Sequence, residues 1–265
     1  MFSIIVGAVM AVAFIGMIVC VKKQNDNPNA KPLAVGLLLV VIVCAVVMLI
    51  HNMGGGAESA VVDSEIRYTV SVPYMVGKTV ADKMPGAKVL VVTSSDQRSN
   101  KIREQQIEAL KKGFGSTITD IVCDSPKPSK APANMEPDMV PEDFVTAKDL
   151  DRLFKSHKDR NLIVMLIRLP YDMENMEIWR QFKKNPKKTP KLALAASDVS
   201  LLGAYIKGGL ISAASVHNPD YKYEDGKIAP EDLEKAFNER YLMLTPENVL
   251  QMAKKYPKLF PKPRR

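Results

Sequence analysis

The chain of 265 residues has little cysteine, histidine and tryptophan, with three, three and one residue of each type. Cys20 and Cys44 lie in apolar runs near the N-terminus, and only Cys123 lies in the remainder. A disulfide within that remainder is therefore excluded. The histidines are widely scattered, and no acidic loop has the spacing of a calcium site. We predict no metal ion and no cofactor.

The common signatures of enzymes are also missing. The sequence has no Gly-x-Ser-x-Gly elbow, no Gly-x-Gly-x-x-Gly turn and no Gly-Lys-Ser/Thr phosphate loop. Its net charge is +8, and its densest basic clusters are 183–191 and 254–265. Both clusters fall at predicted helix ends or in extended segments, where cations are favourable for structural reasons. We predict no nucleic-acid partner, and consider an anionic lipid, cell-wall polymer or protein surface the more suitable target.

Two apolar runs without any charged residue dominate the N-terminal part, at residues 2–21 and 33–50. Each is close to the length of about 20 residues with which a helix crosses a bilayer. The alternative is a signal peptide followed by a buried core helix. That alternative lacks a basic segment before Phe2 and small residues before Lys22. We predict a transmembrane helical hairpin over residues 1–52.

The short loops predict an orientation for this hairpin. The loop 22–31 carries three lysines against one aspartate, whereas 51–58 contains no lysine or arginine. The positive-inside rule therefore places the loop in the cytoplasm and the large C-terminal part on the other side. We expect a two-pass protein of a bacterial-type inner membrane, with a periplasmic domain.

Beyond the hairpin, short apolar segments alternate with amphipathic ones. The predicted strands are 88–93, 117–123, 161–167, 191–196 and 210–216. The predicted helices are 100–112, 146–157, 174–184, 199–207, 231–238 and one that begins at Thr245. Apolar strands that alternate with amphipathic helices are typical of a parallel sheet covered on both faces. The predicted fold class is α/β, doubly wound, with a mostly parallel sheet of about five strands.

Composition divides the rest of the chain into three predicted parts. A glycine hinge and a lead-in helix occupy 53–84, and the α/β domain spans 85–219. Five prolines fall within 124–143, too many for a helix or a strand, so this insertion is predicted to be a lid, a partner-binding arm or a spacer. Residues 220–265 are predicted to form C-terminal helices and a basic tail.

The order of the predicted strands and helices resembles that of a known protein family. The segment Pro85–Val92, the helix end Leu110–Phe114 and the segment Ala204–Val216 resemble the first lobe of the periplasmic-binding-protein-like (type I) α/β family. The resemblance covers roughly 85–219 and implies extracytoplasmic capture of a small solute between two lobes. The chain has the length for one such lobe, so closure on a solute would need two chains to pair.

In an open α/β sheet, ligands bind beyond the carboxyl ends of the strands. Hydroxyl, carboxyl, guanidinium and imidazole groups are predicted at those ends. We name the following ligand-binding candidates: Ser94, Ser95, Asp96, Arg168, Asp172, Ser197, Asp198, His217 and Asn218. The competing interpretation is that the serines and aspartates cap the helices that follow the strands.

Three functions remain open. The first is a non-catalytic structural or accessory subunit of a membrane assembly, in contact with other subunits or with further copies of itself. The alternative is a membrane-tethered solute-binding or sensory module that uses the strand ends. A third, less favoured, is a hydrolase with Ser94 or Ser95 as nucleophile, His217 as base and Asp172 or Asp198 orienting it.

Overall fold

The computed structural model describes residues 2–23, 30–53, 57–96, 100–129, 140–224 and 226–261. Before residue 60, side chains are described at 6–22, 30 and 32–48. The chain forms two compact units, Met1–Asp63 and Ser64–Arg265.

The first unit contains helices α1 (Phe2–Lys23) and α2 (Ala30–Met53), which pack against each other. Small residues lie at the contact. Ala13 and Ala34 are buried, and a Cβ added at Gly16 would lie 3.2 Å from a leucine side chain of α2. Both apolar runs are therefore helical, as the sequence predicts. Over the residues whose side chains are described, no helical stretch combines the length and apolarity needed to cross a membrane.

The second unit is built on a six-stranded sheet with the order β2-β1-β3-β4-β5-β6. Its strands are β1 (Val89–Val92), β2 (Ile121–Asp124), β3 (Leu162–Met165), β4 (Lys191–Leu194), β5 (Ile211–His217) and β6 (Tyr241–Leu244). Strands β1 to β5 run parallel, and β6 pairs antiparallel with β5. The predicted doubly wound α/β class is confirmed. The expected number of about five strands is one too few, because β6 is a four-residue run whose partner lies far away in the sequence.

Among the described residues, seven α-helices belong wholly or partly to this unit: α3 (Ala57–Lys83), α4 (Asn100–Phe114), α5 (Ala147–Ser156), α6 (Glu177–Lys184), α7 (Gly203–Lys207), α8 (Leu233–Arg240) and α9 (Val249–Lys255). Leu90 and Val92 of β1 pack in the core with residues of α5, α6, α7 and α9. Val89 and Val91 pack in the opposite core with residues of α3, α4 and α8. The alternation of strand side chains thus fills two cores, one on each face.

Some helices begin later than the sequence predicts, because side chains form turns ahead of them. A carboxylate oxygen of Asp198 accepts a hydrogen bond of 2.8 Å from the backbone N–H of Ser200 before α7. The Asn248 side chain accepts one of 2.8 Å from the N–H of Thr245 before α9. Within the predicted proline-rich insertion, residues 130–139 lie outside the described residues.

Helices α3 and α4 cross at two glycines. A Cβ added at Gly77 would lie 2.5 Å from the carbonyl oxygen of Leu110, and one at Gly113 would lie 2.1 Å from the carbonyl oxygen of Tyr74. These distances are far below van der Waals contact, and backbone atoms cannot rotate away as side chains do. The crossing therefore requires the absence of a side chain at both positions.

We expect Gly113→Ala to force the two helices apart and to lower the free energy of unfolding of the second unit by about 1–3 kcal/mol or more. Lys112→Ala, on an exposed neighbouring position of the same helix, is the matched control. Urea unfolding followed by the fluorescence of Trp179 reports on this unit, because Trp179 is the only tryptophan and is buried in its core. Equal unfolding midpoints for the two variants would contradict the close crossing.

Candidate functional site

An open cavity of about 790 Å³ lies beyond the carboxyl ends of β3, β4 and β5. The segments that follow β3 and β4 and the last residues of β5 contribute to its lining. Helices α3 and α4 add Thr69 and Gln106, and β6 adds Tyr241. The C-terminal segment also lines the cavity, with Lys258, Leu259 and Pro261. The cavity is therefore lined by residues from both sequence ends of the second unit.

Four of the predicted candidates line this cavity: Arg168, Ser197, Asp198 and His217. They come from three different strand ends that parallel pairing brings to one edge of the sheet. Strands β3, β4 and β5 are neighbours in the sheet in the same order as in the sequence. Strand-end reasoning therefore brings these four residues to the same edge of the sheet. Their role in binding stays a prediction.

Ser94, Ser95 and Asp96 follow β1 and are not among the residues that line the cavity. The hydroxyl of Ser94 accepts a hydrogen bond of 2.9 Å from the backbone N–H of Asp96. The N–H of Ser95 donates to a carboxylate oxygen of Glu142 at 3.0 Å, and Arg103 donates to the Ser94 carbonyl at 2.8 Å. These contacts organise the loop after β1.

Asp172 and Asn218 are likewise absent from the cavity lining. A carboxylate oxygen of Asp172 accepts a hydrogen bond of 2.8 Å from the N–H of Ala147, in the first turn of α5. The amide oxygen of Asn218 accepts one of 3.0 Å from the N–H of Asp220. Both side chains therefore organise backbone near the strand ends, but neither caps a helix that follows its strand, because α5 precedes β3 and the Asn218 contact closes a turn.

The side chains that line the cavity differ in whether they contact other residues of the chain. Within the described part of the chain, the guanidinium of Arg168 has no hydrogen-bond or ion-pair partner. The ring of His217 packs on that of Tyr241, with centroids 4.9 Å apart and planes at 40°. Burial, and then the nearby charge of Arg240, lower the pKa of His217 below its usual value, so its imidazole is neutral near pH 7. The cavity lining thus contains both a cation without a described partner and a neutral imidazole.

The hydrolase arrangement is not assembled among the described residues. Ser94, Ser95 and Asp172 are absent from the cavity lining, whereas His217 and the alternative carboxylate, Asp198, belong to it. No hydrogen bond between described side chains joins His217 to a serine or an aspartate, so its ring has neither a nucleophile nor an orienting carboxylate.

Sequence reasoning missed Ser215, Tyr241 and Lys258, which also line the cavity. The hydroxyl of Ser215 donates a hydrogen bond of 2.8 Å to the carbonyl of Ala195 and so is partly satisfied by the neighbouring strand. Tyr241 opens an edge strand, and Lys258 sits in what the sequence presents as a basic tail. No local pattern marks these residues, because long-range pairing alone places them here.

Comparison with known proteins gives distant likenesses. No protein-family model and no curated protein matches the chain. A periplasmic solute-binding protein of an ABC transporter from Actinobacillus succinogenes, solved with bound D-allose, is 10% identical with a TM-score of 0.42, over 69% of this chain and 60% of that chain. The arabinose-binding protein AraP from Geobacillus stearothermophilus is 16% identical with a TM-score of 0.39, over 68% of this chain and 62% of that chain. The chain thus spans less than two thirds of the length of each, and likenesses this distant carry no functional argument.

We expect Asp172→Ala to lower the free energy of unfolding of the second unit by about 1 kcal/mol, because the first turn of α5 loses an acceptor. Arg168→Ala removes a side chain without a partner in the described part of the chain, so it should change stability by less than about 0.5 kcal/mol. Urea unfolding followed by Trp179 fluorescence compares the two variants. A larger loss for Arg168→Ala than for Asp172→Ala would show that the two roles are reversed.

Proposed function

We propose that the second unit binds a small polar solute in the cavity at the carboxyl ends of β3, β4 and β5, and that the first unit anchors it to a membrane. The observation that carries the binding proposal is the cavity itself. Its volume of about 790 Å³ lies in the range of small-molecule sites, which is about 300–1,000 Å³. The polar groups of three strand ends converge on it.

The chemistry of these groups suits a hydrogen-bonding solute. Arg168 supplies donors that no described residue uses. The hydroxyl of Ser197 accepts a long hydrogen bond of 3.4 Å from the N–H of Leu169 and keeps its own proton for donation. One carboxylate oxygen of Asp198 is engaged by Ser200, and a carboxylate has further acceptor sites. Apolar residues such as Leu166 and Val216 provide the surface between these groups.

The accessory-subunit function, which the sequence favours, makes no use of this cavity. Solute binding accounts for the convergence of polar groups from separate strand ends, and it is the proposal that we adopt. The two functions predict different results when the chain is extracted intact from its own membrane. Solute binding predicts a bound small molecule, whereas the accessory function predicts bound subunits.

We expect a stoichiometric small-molecule mass on the full chain in native mass spectrometry after extraction in mild detergent. Ala196→Trp should abolish this mass, because Ala196 is exposed and lines the cavity, so an indole there fills space without disturbing the core. Ala204→Trp is the matched control, since Ala204 is exposed on α7 and does not line the cavity.

Loss of the bound mass in Ala196→Trp alone would support the site. A complex with other subunits that carries no small-molecule mass would instead support the accessory function. A bound mass that survives in both variants would place the solute elsewhere.

The proposal of membrane anchorage rests on the first unit. The uncharged runs 2–21 and 33–50 have the length of membrane spans. Large apolar side chains face outward from both helices, with Val12 and Ile15 of α1 exposed by 71% and 62% and Leu39 of α2 by 58%. An apolar surface of this kind is unfavourable in water and suits contact with acyl chains. The three lysines of the 22–31 loop support an orientation with that loop on the cytoplasmic side, by the positive-inside rule.

Cys123 gives a direct test of sidedness, because its thiol is exposed on the second unit. We expect a membrane-impermeant maleimide to label Cys123 on intact spheroplasts, whereas Cys20 and Cys44 stay unlabelled within the bilayer. Partial desolvation raises the pKa of the Cys123 thiol, although Lys111 opposes this, so labelling should still be accelerating as the pH passes the usual thiol pKa of about 8.5. Cys123→Ser is the control.

Labelling that requires lysis of the spheroplasts would reverse the orientation. Recovery of the unlabelled chain in the soluble fraction after gentle lysis would contradict the anchorage itself.

A further inference from the structure

We propose that the solute of the strand-end cavity is an anion, held between Arg168 at the end of β3 and Lys258 of the C-terminal segment. This inference rests on the proposed solute binding and specifies its chemical class. Both cations line the same cavity, although 90 residues separate them in the sequence.

Arg168 differs from the arginines that stabilise the fold. Arg103 donates to the Ser94 carbonyl at 2.8 Å, and Arg240 forms an ion pair of 2.6 Å with Glu65. Arg168 is exposed and, in the described part of the chain, has no such partner. A guanidinium presents a planar fork of donors that matches carboxylate and phosphate groups. Its charge at the cavity is thus available to a ligand.

The C-terminal segment fixes the backbone of Lys258 at the cavity. On one side, Tyr256 is buried, and its hydroxyl donates a hydrogen bond of 2.6 Å to the Asp220 carboxylate. On the other side, Phe260 packs so closely over α7 that a Cβ added at Gly203 would lie 3.1 Å from its ring. These two anchors flank Lys258. Like Arg168, Lys258 has no partner among the described residues.

The charges that line the cavity leave a positive surplus. Among the described residues that line the cavity, Arg168 and Lys258 are opposed by one carboxylate, that of Asp198, which already accepts a hydrogen bond from Ser200. His217 adds no negative charge and is neutral near pH 7. Two cations that line one cavity attract an anion together, and a guanidinium and an ammonium both donate charge-assisted hydrogen bonds to it. An anionic solute therefore neutralises the positive charge that the residues lining the cavity leave unbalanced.

Two pairs of probes that differ in charge and little else test the inference. The first pair is D-glucuronate and D-glucose, and the second is glycerol 3-phosphate and glycerol. Isothermal titration calorimetry on the full chain in mild detergent should show at least one anion binding about tenfold or more tightly than its neutral partner, as charge-assisted hydrogen bonds predict. Added salt should weaken this preference.

Arg168→Ala and Lys258→Ala should each reduce the preference for the anion about tenfold, and Arg168→Lys should retain part of it. Lys254→Ala is the matched control, because Lys254 is exposed on α9, lies four residues from Lys258 and does not line the cavity. Its affinity for each probe should equal that of the parent chain.

The outcomes separate this inference from the function on which it rests. Tighter binding of D-glucose or glycerol, abolished by Ala196→Trp, would overturn the anion and keep the solute site. Anion binding that Arg168→Ala and Lys258→Ala leave unchanged would overturn the inference by placing the site elsewhere. A parent chain that binds none of the four probes overturns the inference, and a bound mass in native mass spectrometry then decides separately whether the solute function stands.

Discussion

Burial of the central sheet on both faces is the constraint on which the rest of the second unit depends. Every side chain of β1 and β3 is buried, and the helices on either side supply the covering layers. A polar group that pointed from either face would lose its contact with water without a guaranteed partner. Chemistry is therefore confined to the strand ends, where loops meet solvent, and the cavity lies at one such edge.

The antiparallel edge strand and the C-terminal segment give this edge its outer boundary. Because β6 runs opposite to β5, its first residue Tyr241 pairs with His217, the last residue of β5. Antiparallel pairing therefore places the aromatic ring of Tyr241 at the end of β5. The segment after α9 then returns to the same edge and contributes Lys258. The second unit thus lines this open cavity with its own residues.

Local sequence patterns predict most of the helices and strands. The residues that line the cavity, in contrast, are brought together mostly by contacts between distant parts of the chain. The start of α5 is predictable, because Thr146 and Asp149 form a capping box within four residues. The β5–β6 pair joins Ala214 to Leu244 across thirty residues, and no window of sequence contains both. The same holds for Lys258, whose neighbours in the sequence describe only a basic, proline-rich tail. Strand-end reasoning finds Arg168 and His217 because parallel register, once assumed, fixes where each strand stops.

The hydrogen bonds of the structure explain why strand-end reasoning also selected residues that stabilise the fold and do not line the cavity. Serine and aspartate are favoured after a strand both for capping and for binding, so residue type alone cannot separate the two. Asp172 accepts a backbone N–H of α5, and such a bond contributes about 0.5–1.5 kcal/mol to stability. Arg168 makes no such contact in the described part of the chain. Arg168 thus lies at one of the two edges where polar groups can meet solvent, and the proposed anion site uses this charge.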